Sequence, residues 1–214
     1  MRRVALIKAP YCPFDLAAID VVHEAWRLCA SACIDHYWSG AQAPPGRRAE
    51  ARILWTEFAL CVRFTCQQSE PLVINNNSPQ RDFKTLGLWQ RDVCEVFIAP
   101  NMNEPNCYFE FEAAPSGEWV DLGLRIVGSQ RETEWDFRSD MSAHGEVRGG
   151  LVTISMRIPW SERLPKPKKG DQWRLNLCRC VGEDPNRGYL AWQPTLTPEP
   201  NFHVPAAFGT ILFN

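Results

Sequence analysis

An all-β fold, an antiparallel β-sandwich or jelly roll, is what this sequence predicts, and three observations predict it. Apolar and polar residues alternate with a period of two in several short runs, as half-buried strands require. Turn-forming clusters and 17 prolines punctuate those runs. Helical periodicity is hard to find beyond residue 50, which leaves sheets as the layers of the fold.

Before residue 50, only residues 15–28 carry the spacing of an amphipathic helix, with Leu16, Ile19, His23 and Trp26 three or four apart. Glycine and proline mark a loop at 40–46. Over 60–66, Leu60, Val62, Phe64 and Cys66 alternate with Cys61, Arg63 and Thr65, which predicts a strand. Pro71 and the run Asn75-Asn76-Asn77-Ser78-Pro79 predict a loop. Strands at 92–98 and 107–113 flank a turn at 100–106 and read as a hairpin. Three more strands follow, at 151–158, at 172–180 with Trp173, Leu175 and Leu177 on one face, and at 209–213.

The whole of residues 1–214 is expected to form one domain, because 45% hydrophobic content suffices for one sizeable core. The 23 basic and 25 acidic residues nearly cancel, and no basic stripe with interleaved aromatics occurs, so nucleic acid is not an expected partner. A membrane is not expected either, since no run of about 18 apolar residues is present. The early apolar run at 4–7 is too short for a signal peptide, so the chain as written is expected in the cytoplasm. Nine cysteines without paired C-x-x-C spacing are expected to be reduced and mostly buried rather than zinc ligands or disulfides.

The hairpin places acids where a strand would otherwise be apolar. Cys94, Val96 and Ile98 face one way, and Val93, Glu95 and Phe97 the other. In the partner strand Phe109, Phe111 and Ala113 form the core set, leaving Tyr108, Glu110 and Glu112 opposite. Three carboxylates and a tyrosine would share one face. On 172–180, Gln172, Arg174 and Asn176 point away from the core, and the Arg174 charge would balance the acids. Alternation alone leaves open a solvated face, with ion pairs worth under about 1 kcal/mol each.

Residues 88–97, LWQRDVCEVF, followed by Tyr108-Phe109-Glu110-Phe111 and Ser116-Gly117, resemble the core motif of family 9 carbohydrate-binding modules and their single-domain relatives. The later pieces fit the same pattern: Arg157-Ile158-Pro159-Trp160, Trp173-Arg174-Leu175-Asn176 with Arg179, Ala191-Trp192-Gln193-Pro194, Phe202-His203-Val204-Pro205 and Phe208-Gly209. The resemblance is strongest over residues 51–213 and weaker over 14–38, where Trp26 matches an early tryptophan. It implies a β-sandwich that binds sugar without catalysis, in bacterial polysaccharide catabolism. The implied partners are a mono- or oligosaccharide and a plant-type polysaccharide.

In that family two tryptophans grip a terminal sugar ring, and a glutamate six residues after the first accepts hydrogen bonds from hydroxyls. Carried over by motif, these are Trp89, Glu95 and Trp192. Tyr108, Glu110, Arg174 and Asn176 complete the candidate carbohydrate-binding set. The roles suit the residue types, because a flat indole covers the C–H face of a pyranose while a carboxylate takes donors from its rim. Trp26, Trp55 and Trp173 are expected in the core, Asp92 in ordering the loop, and His203 in a structural hydrogen bond. Some family members carry calcium. The loops 75–77 and 101–104 are oxygen-rich but lack a regular acidic spacing, which leaves calcium open. Family members often work outside the cell, fused to a glycoside hydrolase; this chain as written is expected to carry neither an export signal nor a catalytic partner.

Three rivals remain at this point. Glu95 with Glu110 or Glu112 could serve as the acid and base of a glycosidase. A related sandwich could hold haem through Met102 or Met156 with His203. The third is a protein-interaction domain whose sugar site has decayed.

Overall fold

Short alternating runs separated by turns fold here as strands, half of whose pairings join neighbours in the chain. The computed structural model describes residues 5–214 apart from Asn76 and Ser78, so the predicted 75–79 loop lies partly outside the described residues. In chain order the strands are β1 (Leu6–Ala9), β2 (Ala32–Ile34), β3 (His36–Tyr37), β4 (Ala49–Trp55), β5 (Ala59–Gln67), β6 (Val93–Ala99) and β7 (Cys107–Ala113). There follow β8 (Trp119–Val127), β9 (Gln130–Glu134), β10 (Ser142–Arg148), β11 (Leu151–Pro159), β12 (Gln172–Val181), β13 (Gly188–Ala191) and β14 (Gly209–Phe213). No helix among the described residues is long and apolar enough to cross a membrane.

The larger sheet runs β1-β14-β12-β6-β7-β8-β9, with β13 also paired to β12 and β3 to β13. The smaller runs β10-β11-β5-β4-β2. Every pairing is antiparallel except β1 with β14. The two sheets form a sandwich, and the inner faces are the ones alternation selects. Cys94, Val96 and Ile98 of β6 and Phe109 and Phe111 of β7 share one buried cluster with Val62 and Phe64 of β5 and Ile154 and Met156 of β11. Each fully buried large side chain contributes about 1.5–3 kcal/mol, so this interface is the main source of stability. Trp55 and Trp173 belong to it, and Trp26 lies in a smaller cluster with Leu54 and Cys61. All nine cysteines are unbridged, and Cys66 and Cys94 approach to 3.5 Å between their sulfurs across the sandwich.

Two expectations are corrected. The amphipathic helix at 15–28 does not form: only Glu24–Leu28 coils, as a short 3-10 helix whose Ala25 N–H is capped by the His23 ring. Leu16 and Trp26 are buried while Ile19 is exposed, so the apolar spacing does not make one face. The indole of Trp26 donates to the Asp20 carbonyl and fixes an irregular path instead.

The second correction concerns the outer face of the larger sheet, which is not solvated. Val93, Phe97, Tyr108, Leu122, Leu124, Cys178 and Cys180 form a second buried cluster there, covered by Leu88, Phe202 and Phe208 from loops remote in sequence. Every residue of β6 is consequently buried, on both faces.

Gly145 on β10 lies against the 114–115 turn, and a Cβ there would overlap the Pro115 carbonyl, which is backbone and cannot rotate away. Gly145→Ala is therefore expected to cost about 1–3 kcal/mol through overpacking. A thermal melt checks it: an unchanged melting temperature would mean that β10 can shift freely.

Candidate functional site

The outer face of the larger sheet carries the site because its covering loops leave a gap. Gly87, at φ +80°, takes the left-handed conformation that glycine tolerates and turns the chain into the short 3-10 helix Leu88–Gln90. Leu88 plugs into the outer cluster, and Trp89 is left at the rim, partly exposed. The Arg187 guanidinium fastens this turn, donating to the carbonyls of Trp89 (2.8 Å), Arg91 (2.5 Å) and Gly182 (2.7 Å). Asp92 closes the same loop, its carboxylate accepting from Gly182 N (2.7 Å) and the Gln68 amide (3.2 Å).

Trp135 follows β9 and meets Trp89, the ring centroids 6.2 Å apart and the planes tilted by 41°. A pyranose held between two rings needs a centroid separation of about 7–8 Å, two van der Waals contacts deep. These indoles touch each other and form an aromatic corner. Lys84 holds the Trp135 segment in place. Its ammonium donates to the carbonyls of Asp121 (2.8 Å), Trp135 (3.1 Å) and Phe137 (2.5 Å), and it pairs with the fully buried Asp121 carboxylate at 2.8 Å.

Below the corner a cavity of about 780 Å³ opens onto Glu95 and Glu110, with Arg131, Arg187, Tyr189 and His203 also on its walls. Glu95 of β6 stands directly across from Glu112 of β7, and Glu110 lies two residues along the same face. Oxygens from the three carboxylates lie within 4.8 Å of one another. Glu95 is 2%, Glu110 4% and Glu112 0% exposed. The Cys180 thiol donates to Glu95 at 3.2 Å, whereas Glu112 meets no donor from outside the cluster among the described residues and shares a hydrogen bond only with Glu110.

Burial in this floor disfavours charge, and each acid disfavours it further in its neighbours. Burial and then the Glu110 charge push Glu95 up to about 8, with Cys180 and Arg187 opposing. Burial pushes Glu110 up to about 7, with Arg131 among the groups that hold it down. Glu112 is raised well above the usual carboxylate range by burial and the charges of Glu95 and Glu110. The His203 ring meets the Tyr108 hydroxyl at 3.1 Å and is pushed down to about 3, chiefly by burial, so it is neutral.

Of the residues singled out in the sequence, the structure brings Trp89, Glu95 and Glu110 together around the cavity and sets Tyr108 just behind it, on His203. The other three lie elsewhere. Trp192 packs against the inter-sheet cluster, where its ring occupies the space a Cβ on Gly209 would take. Asn176 is fully buried and clips the Gln193 backbone, donating to its carbonyl (2.9 Å) and accepting from its N–H (3.0 Å). Arg174 reaches the Ala206 carbonyl at 3.4 Å; the cations that balance the acids are Arg187 and Arg131. Sequence reasoning missed Trp135, whose available signal was an aromatic pair, Trp135 and Phe137, ending the otherwise polar run QRETEWDF (130–137).

The loops considered for calcium spend their oxygens on themselves. Asn101 accepts from Asn103 N and donates to Glu104, and Asn75 accepts from Asn77 N; Asn76 lies outside the described residues. Among the described residues, the group spaced to share an ion is Glu95, Glu110 and Glu112. The haem pairing fails on position, because Met156 is in the inter-sheet core and Met102 is on an exposed turn, while His203 faces the outer cavity.

The family model described as "Carbohydrate family 9 binding domain-like" matches residues 19–214. Among solved structures, a putative carbohydrate-binding protein from Bacteroides uniformis superposes with a TM-score of 0.75 at 16% identity, over 99% of this chain and 100% of that one. A family 9 carbohydrate-binding module from Caldicellulosiruptor kristjanssonii superposes with a TM-score of 0.65 at 17% identity, both in complex with cellotriose (98% of this chain, 94% of that) and with glucose (98% and 96%). No curated protein matches the chain.

Proposed function

Because the chain belongs to the carbohydrate family 9 binding-domain-like family, we propose that it is a non-catalytic sugar-binding domain whose site is the cavity between the Trp89–Trp135 corner and the Glu95–Glu110 floor. The observation that carries this reading is the juxtaposition of two indoles with two carboxyl groups in one open cavity. A pyranose presents an apolar C–H face and a rim of hydroxyls, and the corner and the floor match those two surfaces. Stacking contributes about 0.5–1.5 kcal/mol beyond area burial, and hydrogen bonds to charged groups about 1.5–3 kcal/mol, so a dissociation constant between about 1 μM and 1 mM is expected. The solved relatives bound to cellotriose and glucose make β-linked glucose units, as in plant-type polysaccharide, the first ligands to try.

Calorimetric titration with glucose, cellobiose and xylobiose tests it. Saturable heat is expected from at least one sugar, with affinity lowered at least tenfold in Trp89→Ala and Glu95→Gln and retained in Trp192→Ala. No heat with any sugar, or binding that survives Trp89→Ala and Glu95→Gln, would remove the reading.

The raised carboxyls favour hydrolysis as a second reading, since a glycosidase needs an acid that stays protonated at neutral pH. The geometry opposes it, because two catalytic carboxyls must flank the scissile bond and these three cluster side by side in one floor. Release of nitrophenol from an aryl glycoside, lost in Glu95→Gln, would reverse that judgement.

A further inference from the structure

Three buried carboxylates in contact are a poor match for a neutral sugar alone. A hydroxyl brings no charge, so a neutral sugar cannot offset the cost of ionising Glu95 and Glu110 side by side in this floor. Among the described residues Glu112, fully buried, meets no donor from outside the cluster and shares a hydrogen bond only with Glu110. The guanidinium groups nearby do not fill the gap: Arg187 spends its donors on the Trp89, Arg91 and Gly182 carbonyls, and Arg131 stands on the cavity wall. Around the cavity and directly beneath it stand five carboxyls, Glu95, Glu110, Glu112, Glu183 and Asp184, against these two cations.

We propose that this cavity selects a sugar carrying a free amino group, a hexosamine unit of the unacetylated kind, whose ammonium sits on Glu95 and Glu110 above Glu112. This rests on the sugar-binding reading of the same cavity and adds the substrate class. An ammonium has three N–H donors and no acceptor, which suits the two carboxyls that line the cavity, Glu95 and Glu110, with Glu112 directly beneath them acting through its charge rather than by contact. Acceptors at about 2.8 Å along its tetrahedral directions stand about 4.6 Å apart. The three carboxylates each place an oxygen within 4.8 Å of the other two. The indoles of Trp89 and Trp135 add ring faces that attract a cation as well as cover the C–H face of the sugar. Burial and mutual repulsion raise Glu95 and Glu110, and a cation seated on them would offset the cost of charging this floor.

The test is calorimetric titration at pH 7 with glucosamine, glucose and N-acetylglucosamine and with their β-1,4-linked dimers, on the wild type and on Glu112→Gln, each first checked by a thermal melt. The free amine is expected to bind at least tenfold more tightly than both the hydroxyl and the acetamide counterparts. In Glu112→Gln that preference is expected to shrink at least threefold while neutral-sugar affinity stays within about twofold, because Glu112 does not line the cavity. Should Glu112→Gln fail to fold, the same comparison in 0.5 M against 0.05 M salt replaces it, with the preference for the amine expected to weaken at high salt. Equal or tighter binding of glucose overturns the amino-sugar assignment and leaves the sugar-binding reading standing. Silence from every sugar removes both. Stoichiometric heat from calcium or manganese alone, with no preference for the amine, makes the floor a metal site and overturns the proposal.

Discussion

Lys84→Met should lower stability by about 3–5 kcal/mol and weaken sugar binding, although Lys84 touches no part of the cavity floor. The cost follows from what is left behind. Asp121 is fully buried on β8, and its second oxygen already accepts from the Ser139 N–H and hydroxyl at 2.7 and 2.8 Å. Removing Lys84 leaves that carboxylate without its cation in a dry setting, where an unpaired charge is far costlier than the pair was favourable. At about 2–4 °C per kcal/mol for a chain of this size, the melting temperature should fall by roughly 10 °C.

The effect on binding has a separate cause. The same ammonium ties the Trp135 and Phe137 carbonyls to β8, so its loss frees the segment that brings one indole against the other. Affinity should drop about threefold to tenfold at a temperature where the variant is still folded. A background of Asp121→Asn separates the two contributions: there Lys84→Met should cost far less stability, because no buried charge is orphaned, and should still weaken binding. Equal stability losses in both backgrounds would mean that the ion pair is not what matters.

That pair also shows where the sequence stops being legible. The strand Trp119–Val127 interrupts an apolar run with Asp121, and the residue that explains the acid lies 37 positions earlier, at Lys84. Nothing local announces it. The polar strands Gln130–Glu134 and Ser142–Arg148 are sheet edges, where alternation fades because neither face is fully buried. By contrast β5, β6, β7, β11, β12 and β14 stand where period-two alternation puts them, because each buries its inner face against the opposite sheet.

The site was legible in part for the same reason. Alternation correctly places Glu95, Glu110 and Glu112 on the face away from the inter-sheet core. It cannot reveal that residues 88 and 202–208 fold over that face, and so cannot tell a solvated carboxylate from one held at 0–4% exposure. Trp192 and Trp135 illustrate the limit for aromatics. Both sit beside turns, and a distant glycine helps to separate them: Gly209 leaves room for the partly buried Trp192 ring against the inter-sheet core, while Trp135 stays half exposed on the rim.

Burying three acids together should also make the protein weaken as the pH rises through neutrality, the reverse of ordinary acid denaturation. An acid whose pKa is higher in the folded state holds its proton more tightly there. Its contribution to stability is complete below the unfolded value of 4.5 and is lost as the pH climbs through the folded value, about 7 for Glu110 and about 8 for Glu95. Glu112 extends the same trend. The groups facing the cluster do not cancel it: Arg187 and Arg131 pull Glu95 and Glu110 down but are outweighed by burial, and burial pushes the Cys178 and Cys180 thiols up, so they stay neutral. His203 acts oppositely, since a ring pushed down from 6.5 to about 3 contributes fully above 6.5 and loses that contribution as pH falls through 3. The two trends overlap between 4.5 and 6.5, and above 6.5 the acids act alone. One pH unit for one group is worth about 1.4 kcal/mol, so the cluster should lose on the order of 2–4 kcal/mol between pH 6.5 and 8.5. The melting temperature of the sugar-free protein should drop by roughly 10 °C over that interval, and Glu112→Gln, with one fewer proton to lose, should flatten the profile and melt higher than wild type at pH 8.5. A flat wild-type profile to pH 8.5 would mean that the floor ionises without penalty, and hence that water or a counter-ion reaches Glu112.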